Sequence, residues 1–349
     1  MSTTSETKKP QVEYRRLGKS GLRVSVPIIG AMSYGSKRWM PWVLEEEEAL
    51  PLLKAAWDRG VNTIDTANQY SGGVSEQIVG KFIKKYNIPR EKILILTKCF
   101  FPAPEDPSIQ VWMHPELRDE QAYVNNCGLS RGAIFNQVEA SLKRLDTPYI
   151  DLLQIHRFDY ETPIEETMEA LHDLVKSGKV RYIGGSSMWA WQFALMNSTA
   201  EKHGWTQFVS MQNMYNLMYR EEEREMNAYC NHKGIGLIPW GPLASGFLAR
   251  PSGKQTTRSG DDPNKIYGRD ITKSEFVIID RVEELAKKKG WPMSQVALAW
   301  LNSKITSPII GISSVARLEE SIIPDKKLSD EETKFLEEPY VPTAVFGHF

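Results

Sequence analysis

The sequence predicts an α/β fold, a closed (β/α)8 TIM barrel with an N-terminal hairpin and long loops at its C-terminal face. Three observations carry this. Eight short β-rich runs occur along the 349 residues, nearly all separated by a segment of helical periodicity. Alternating strand and helix argues for a parallel sheet with right-handed crossovers, and eight such units are the count of a closed barrel. The runs are apolar at consecutive positions, as strands buried on both faces are. An open doubly wound sheet would carry a glycine-rich fingerprint after its first strand. That region reads "IIGAMSYGSK" and lacks GxGxxG.

Residues 1–11, "MSTTSETKKPQ", are polar and lack the apolar stretch of a signal peptide. They read as a disordered leader ahead of one domain, residues 12–349. "VEYRRLGKSGLRVSV" (12–26) holds two short strand-like arms around "GKSG", a hairpin able to plug the N-terminal mouth of a barrel. The strand runs then fall at 26–35, 61–67, 92–99, 149–156, 180–187, 208–215, 235–243 and 307–314. Between the first two, "EEEEALPLLKAAWDRG" (45–60) sets Ala49, Leu52, Leu53, Ala56 and Trp57 on one helical face and stops at Gly60. Segments 132–146, 164–179 and 276–290 repeat that form. Connections 100–131 and 249–273 are too long and polar for ordinary turns, and both follow strand ends. Such loops are functional lids or surface decorations, the latter an equal reading for 252–265.

Composition narrows the function classes. Hydrophobic types make up 41% and charged types 25%, as in ordinary globular proteins. With a formal net charge of −1 and no basic cluster, nucleic acid and anionic membrane are poor candidate partners. Cys99, Cys127 and Cys230 are odd in number and widely spaced, without CxxC. This argues against a disulfide framework or zinc site and for a reducing, cytoplasmic compartment. No window approaches 18 consecutive apolar residues, so no transmembrane helix is expected.

Barrel active sites sit at the C-terminal ends of the strands. Strand two, in "NTIDTANQYSGGVSE" (62–76), ends at Asp65 with Tyr70 in its loop. Strand three, "ILILTK", ends at Lys98, and strand four, "IDLLQIH", at His156. Each apolar run stops at a group that is costly to bury alone. Taken singly, Asp65 is a turn cap, Tyr70 a rim aromatic, Lys98 a solvated cation and His156 a satisfied polar residue. Together on consecutive strands they suit proton donation to a carbonyl oxygen. A free phenol, with a pKa near 10, is a weak acid at neutral pH, and an ammonium beside it lowers that value. The carboxylate holds the lysine, and the imidazole orients the carbonyl. The hydride must come from a nicotinamide, since no side chain supplies one.

The chain resembles the aldo-keto reductase family from about residue 13 to its last segment. The resemblance rests on "YRRLGKSGLRVS", "GVNTIDTANQYSGGVSEQIVG", "ILTK", "SLKRLDTPYIDLLQIHR", "SGKVRYIGGSS", "QNMYN", "PWGPLASG", "ALAWLNS" and "PIIGISSVARLEES". It implies a catalytic tetrad of Asp65, Tyr70, Lys98 and His156, with Tyr70 the proton donor and Asp65 the anchor of its lysine. It also implies NADP(H) bound without a Rossmann motif and no metal. Ser186, Ser187 and Gln212 would meet the nicotinamide carboxamide, and Trp240 would stack on the ring. Gly241, Pro242, Leu243 and Gly246 would follow the pyrophosphate. Ser313 and Arg317 would hold the 2′-phosphate, and Glu320 would meet adenine. Without the resemblance, Arg317 reads as a surface arginine paired with Glu320 or a neighbouring acid.

The long first insertion and "PYVPTAVFGHF" resemble fungal secondary-metabolism members of the family, which implies an aromatic or polyketide-derived carbonyl substrate. Tyr34, Trp39, Trp42, Phe100, Phe101 and Trp112 would edge a pocket for a flat aromatic body, or else pack the loops onto the barrel. Two other roles within the family's range are a general aldehyde-detoxifying reductase and a cytoplasmic channel β-subunit with a redox-sensing cofactor site. A metal-dependent barrel hydrolase needs several ligands at strand ends, and of six histidines only His156 is so placed. The oligomeric state, monomer or weak homo-oligomer, is left open.

Overall fold

The computed structural model describes residues 11–254 and 265–348. The expected leader therefore lies outside the described residues, apart from Gln11, whose backbone N–H donates to Arg59 O at 3.0 Å. Residues 255–264, within the second long loop, also lie outside.

The barrel strands are β1 (Ile28–Gly30), β2 (Thr63–Asp65), β3 (Leu94–Cys99), β4 (Ile150–Ile155), β5 (Val180–Ser186), β6 (Ser210–Gln212), β7 (Gly236–Leu237) and β8 (Ile309–Ile310). Each falls inside one of the eight runs expected from sequence. They pair in parallel and in chain order, with β8 beside β1. Thr306 N donates to Leu237 O at 2.9 Å and Ile309 N to Pro239 O at 3.0 Å, which joins the β8 end of the chain back to β7 and closes the cylinder. The architecture is a (β/α)8 barrel.

Helices α1 (Glu46–Asp58), α2 (Val74–Lys85), α3 (Arg131–Leu145), α4 (Ile164–Lys176), α5 (Ala190–His203), α6 (Met226–Lys233), α7 (Lys273–Lys289), α8 (Met293–Asn302), α9 (Val315–Ser321) and α10 (Asp330–Glu337) cover the outside. Their apolar faces and the outward faces of the strands form the main core. Helix α7 starts three residues earlier than its apolar periodicity indicates. Thr272 caps it by accepting from Glu275 N, a polar start signal that hydrophobic spacing does not register.

The N-terminal arms, Glu13–Arg16 and Arg23–Val26, pair antiparallel as expected. Leu17 and Val24 from this hairpin share a buried cluster with Ile28, Leu96, Leu152, Ile238 and Ile309, so the hairpin seals the bottom of the barrel. Gly18 makes this possible. Its φ is +59°, and a Cβ there would fall 2.3 Å from Gly234 O. Of the long loops, 100–131 carries two short 3₁₀ turns, Val111–Met113 and Pro115–Asp119. The second holds a small hairpin of Lys265–Ile266 and Arg269–Asp270. No helix among the described residues is long and apolar enough to cross a membrane.

Candidate active site

The ends of β2, β3 and β4 bring Asp65, Lys98 and His156 to one mouth, and the loop after β2 folds Tyr70 back over them. That loop is held by several bonds. Thr66 N and Asn68 N donate to Leu96 O and Lys98 O, and Asn68 Nδ2 donates to Phe101 O at 2.7 Å. Ser71 takes a left-handed φ of 51° and accepts the N–H of Ser36. Glu76, buried on α2, accepts from Thr97 Oγ1 at 2.6 Å and from Arg144 Nε at 2.7 Å, tying α2 to β3 and α3.

The Lys98 ammonium donates to Asp65 Oδ1 at 2.6 Å, Thr66 O at 2.9 Å and Tyr70 Oη at 3.4 Å. All three of its donors are thus used. Because the lysine donates to the phenol oxygen, the Tyr70 O–H proton is left to point elsewhere. Asp65 Oδ2 accepts from Gln154 Nε2 and Gln212 Nε2, each at 2.9 Å, and Gln212 Nε2 also reaches Gln154 Oε1 at 2.8 Å. A carboxylate and an ammonium this deeply buried persist only when so completely satisfied.

Electrostatics separate the roles. Burial would lower the Lys98 pKa, but the Asp65 charge and the Tyr70 oxygen outweigh it, and the ammonium is held protonated above its ordinary value. Burial raises the Tyr70 phenol above 10, Lys98 pulls it back, Asp65 adds to the rise, and Arg157 pulls it back again. From sequence the lysine was expected to bring the phenol below its free value. In the protein alone the net direction is upward, because burial outweighs the ammonium. Burial, then Arg157 and Lys98, place the His156 pKa well below 6.5, so its imidazole is neutral at pH 7. Its ring lies 5.9 Å from that of Tyr70, edge-on, and its Nδ1 is buried without a hydrogen-bond partner among the described residues.

A second group runs from the mouth over the β5–β8 ends. Ser186 Oγ donates to Gln212 O at 2.7 Å, Ser187 N donates to Asn213 Oδ1 at 2.7 Å, and Trp240 Nε1 donates to Ser187 Oγ at 3.3 Å. Beyond Trp240 a cleft of about 250 Å³ opens, lined by Gly241, Pro242, Leu243, Gly246, Ser313, Arg317 and Glu320. Seven of the expected cofactor residues thus share one groove. From Gly241 to Gly246 the backbone passes repeatedly through left-handed φ: 67° at Gly241, 46° at Ala244, 55° at Ser245 and 94° at Gly246. Successive amides in such turns form concavities suited to anions. Arg317 Nη1 donates to Ser313 Oγ at 2.8 Å. It does not pair with Glu320, which instead accepts from Ser294 Oγ. The arrangement fits an extended phosphate-bearing cofactor. The residues named could hold a nicotinamide cofactor there, although Gln212 turns its amide toward Asp65 and so links the two groups.

Several site residues were not found from sequence. Gln154 could have been, because a glutamine inside the apolar run "IDLLQIH" has to be paired to be buried. Arg250 lines the cleft beside Arg317, and burial followed by that neighbouring charge lowers its pKa. Arg157 follows His156, donates to its carbonyl at 2.6 Å, and is pushed by burial down to about 10. Of the expected pocket aromatics, Trp39 packs against Tyr70 at 5.9 Å, Trp42 at 6.5 Å and Trp112 at 5.5 Å, and Phe101 stands 5.4 Å from His156. Tyr34 is different. It is fully buried in the core and its hydroxyl donates to Ile312 O, so it packs the barrel rather than edging the mouth.

Proteins similar to this chain over nearly its whole length occur in several fungi. An aldo-keto reductase of Fusarium vanettenii is 56% identical, covering 97% of this chain and 94% of the relative. An aldo-keto reductase of Alternaria alternata is 54% identical over 99% of this chain and 96% of the relative. Versiconal hemiacetal acetate reductase of Aspergillus parasiticus is 51% identical over 96% of this chain and 98% of the relative. Residues 28–339, from β1 to just past α10, match the family's own sequence profile, and with the barrel and its mouth this places the chain in the aldo/keto reductase family.

Proposed function

We propose that this protein reduces an aldehyde or ketone to an alcohol with NADPH, and that its substrate is an aromatic or polyketide-derived carbonyl of fungal secondary metabolism. The observation that carries the chemistry is the three-way seat of Lys98, with Asp65 and Tyr70 on one ammonium and His156 beside them. A nicotinamide held in the groove by Ser186, Ser187 and Trp240 would supply the hydride that the carbonyl carbon needs. Tyr70 gives its proton to the carbonyl oxygen, and Lys98 stabilises the phenolate left behind. Neutral His156 holds that oxygen by a hydrogen bond and keeps the trigonal carbon in reach. Buried Asp65 is the counter-charge that keeps Lys98 protonated throughout. The three cysteines are free, in keeping with a reducing, cytoplasmic compartment.

The substrate class rests on the aromatic residues at the mouth and on the likeness to the Aspergillus reductase. Trp42, Trp112 and Phe101, backed by the buried Trp39, would surround a flat body whose aldehyde is open rather than closed as a hemiacetal. Apolar burial is worth about 25 cal/mol per Å². A polycyclic aromatic aldehyde should therefore show a KM well below that of propanal when NADPH absorbance is followed. Trimming residues 103–120, which removes Trp112, should erase most of this preference and leave propanal turnover largely intact. Equal KM values in the intact protein would refute the pocket assignment and leave the carbonyl chemistry standing.

The cofactor choice rests on Arg317. NADPH differs from NADH by the 2′-phosphate, which a guanidinium recognises with charge and a planar fork. Arg317→Ala is expected to weaken NADPH binding by about 1.5–3 kcal/mol, the range for hydrogen bonds to charged groups. NADH binding should stay nearly unchanged. Equal losses for both in a titration would make Arg317 structural.

A further inference from the structure

Residues 340–348 lie across one side of the mouth, held by two adjacent buried carboxylates in the short turn Glu221–Glu223 after β6. Glu221 Oε1 accepts from Tyr340 Oη at 2.6 Å and from Thr343 N at 3.0 Å. Phe346 N donates to Tyr219 Oη at 3.0 Å, and the Phe346 ring stacks on Tyr267 and lies 6.3 Å from Trp240. Glu222 then takes the next anchor. Its Oε1 lies 3.1 Å from His348 Nε2, and its Oε2 accepts from Asn213 Nδ2 at 2.5 Å. The side chains of His348 and Glu222 are only 5% and 3% exposed.

This network does not end in the segment. Asn213 Oδ1 accepts the N–H of Ser187, and Ser187 Oγ accepts Trp240 Nε1. Ser187 has a left-handed φ of 45°, a conformation that a non-glycine residue keeps only with support from its surroundings. A Cβ on Gly347 would stand 3.8 Å from Trp240 Cζ2 and 4.0 Å from Ser187 Oγ, so the segment touches both. We propose that Glu222 and His348 are positioning residues for the nicotinamide end of the cofactor, acting through Asn213 to fix Ser187 and Trp240, so that residues 340–348 complete that seat. This rests on the cofactor site proposed above. Glu222 holds the Asn213 amide in one orientation, with nitrogen toward the carboxylate and oxygen toward Ser187. Losing its hold frees the amide to turn and leaves the strained Ser187 backbone unsupported.

The test compares two ligands that share the adenosine end. Binding of NADP⁺ and of adenosine 2′,5′-bisphosphate, which lacks the nicotinamide, is measured by calorimetry on the intact protein and on His348→Ala, Glu222→Gln and His348→Gln. His348→Ala and Glu222→Gln should weaken NADP⁺ about 10-fold, the size of one lost hydrogen bond to a buried charge. The bisphosphate should bind all variants as it binds the intact protein. His348→Gln keeps an N–H donor and should recover most of the NADP⁺ affinity. Equal loss of both ligands, no loss of either, or tighter NADP⁺ binding would overturn the proposal, the last by making the segment a plug. If the intact protein binds neither ligand, the cofactor reading falls and this inference falls with it. Binding of both by every variant with the affinity of the intact protein removes only the inference.

Discussion

Tyr70→Phe is expected to lower kcat for carbonyl reduction about 100-fold or more, within the range that a positioned general acid contributes. The substitution removes one oxygen and leaves the ring, so the packing of Trp39 at 5.9 Å and His156 at 5.9 Å is kept. Lys98 loses its longest contact, at 3.4 Å, but retains Asp65 and Thr66. Cofactor affinity and thermal stability should therefore barely change, which separates a chemical loss from a folding defect. Steady-state reduction of a generic aromatic aldehyde checks this. Near-normal turnover would end the assignment of Tyr70 as the proton donor.

Lys98→Met should be more damaging because it acts on two links at once. The ammonium opposes the effect of burial on the phenol, so its removal lets the Tyr70 pKa rise further above 10. Alcohol oxidation, which needs the phenolate, should then shift to higher pH, and reduction at pH 7 should fall steeply. The second effect is structural. Asp65 is 2% exposed and would lose its counter-charge, and breaking a buried pair from one side costs roughly 3–5 kcal/mol. The amides of Gln154 and Gln212 remain on Oδ2, which favours the lower end of that range. A pH–rate profile and a denaturation curve read the two effects separately. An active variant with an unchanged profile would disprove the coupling between lysine and phenol.

The strands and the gathering of Asp65, Lys98 and His156 at one mouth were legible for the same reason. Parallel strands buried on both faces read as apolar runs, and a barrel mouth begins where such a run meets an ionisable residue. Asp65, Lys98 and His156 mark those points on consecutive strands. The hairpin was legible from "GKSG", because a tight turn demands its own residue types. Other features depend on pairs distant in sequence, which periodicity does not carry. The partnership of Asn213 with Glu222 and His348 spans 135 residues at its widest. The inward packing of Tyr34 rests on a bond to Ile312, which lies 278 residues away. The direction of the Tyr70 pKa was also hidden, since the sequence names the lysine that lowers it but not the depth of burial that raises it.

Closure of the barrel at its last seam has a thermodynamic consequence. Strands β7 and β8 are two residues each, and among the described residues the backbone hydrogen bonds between these two segments run from 306–309 to Leu237 and Pro239. The weakest staves of the cask therefore stand side by side. The groove proposed for the cofactor straddles them, with Gly241–Gly246 following one and Ser313–Glu320 following the other. A molecule held on both banks acts as a hoop across that gap. Its binding energy counts toward keeping the cylinder shut, by mass action on the closed form. Local opening of this seam and release of the cofactor then become one equilibrium seen from two sides, and exchange of the seam's donor amides, Thr306 and Ile309, should slow as the groove fills.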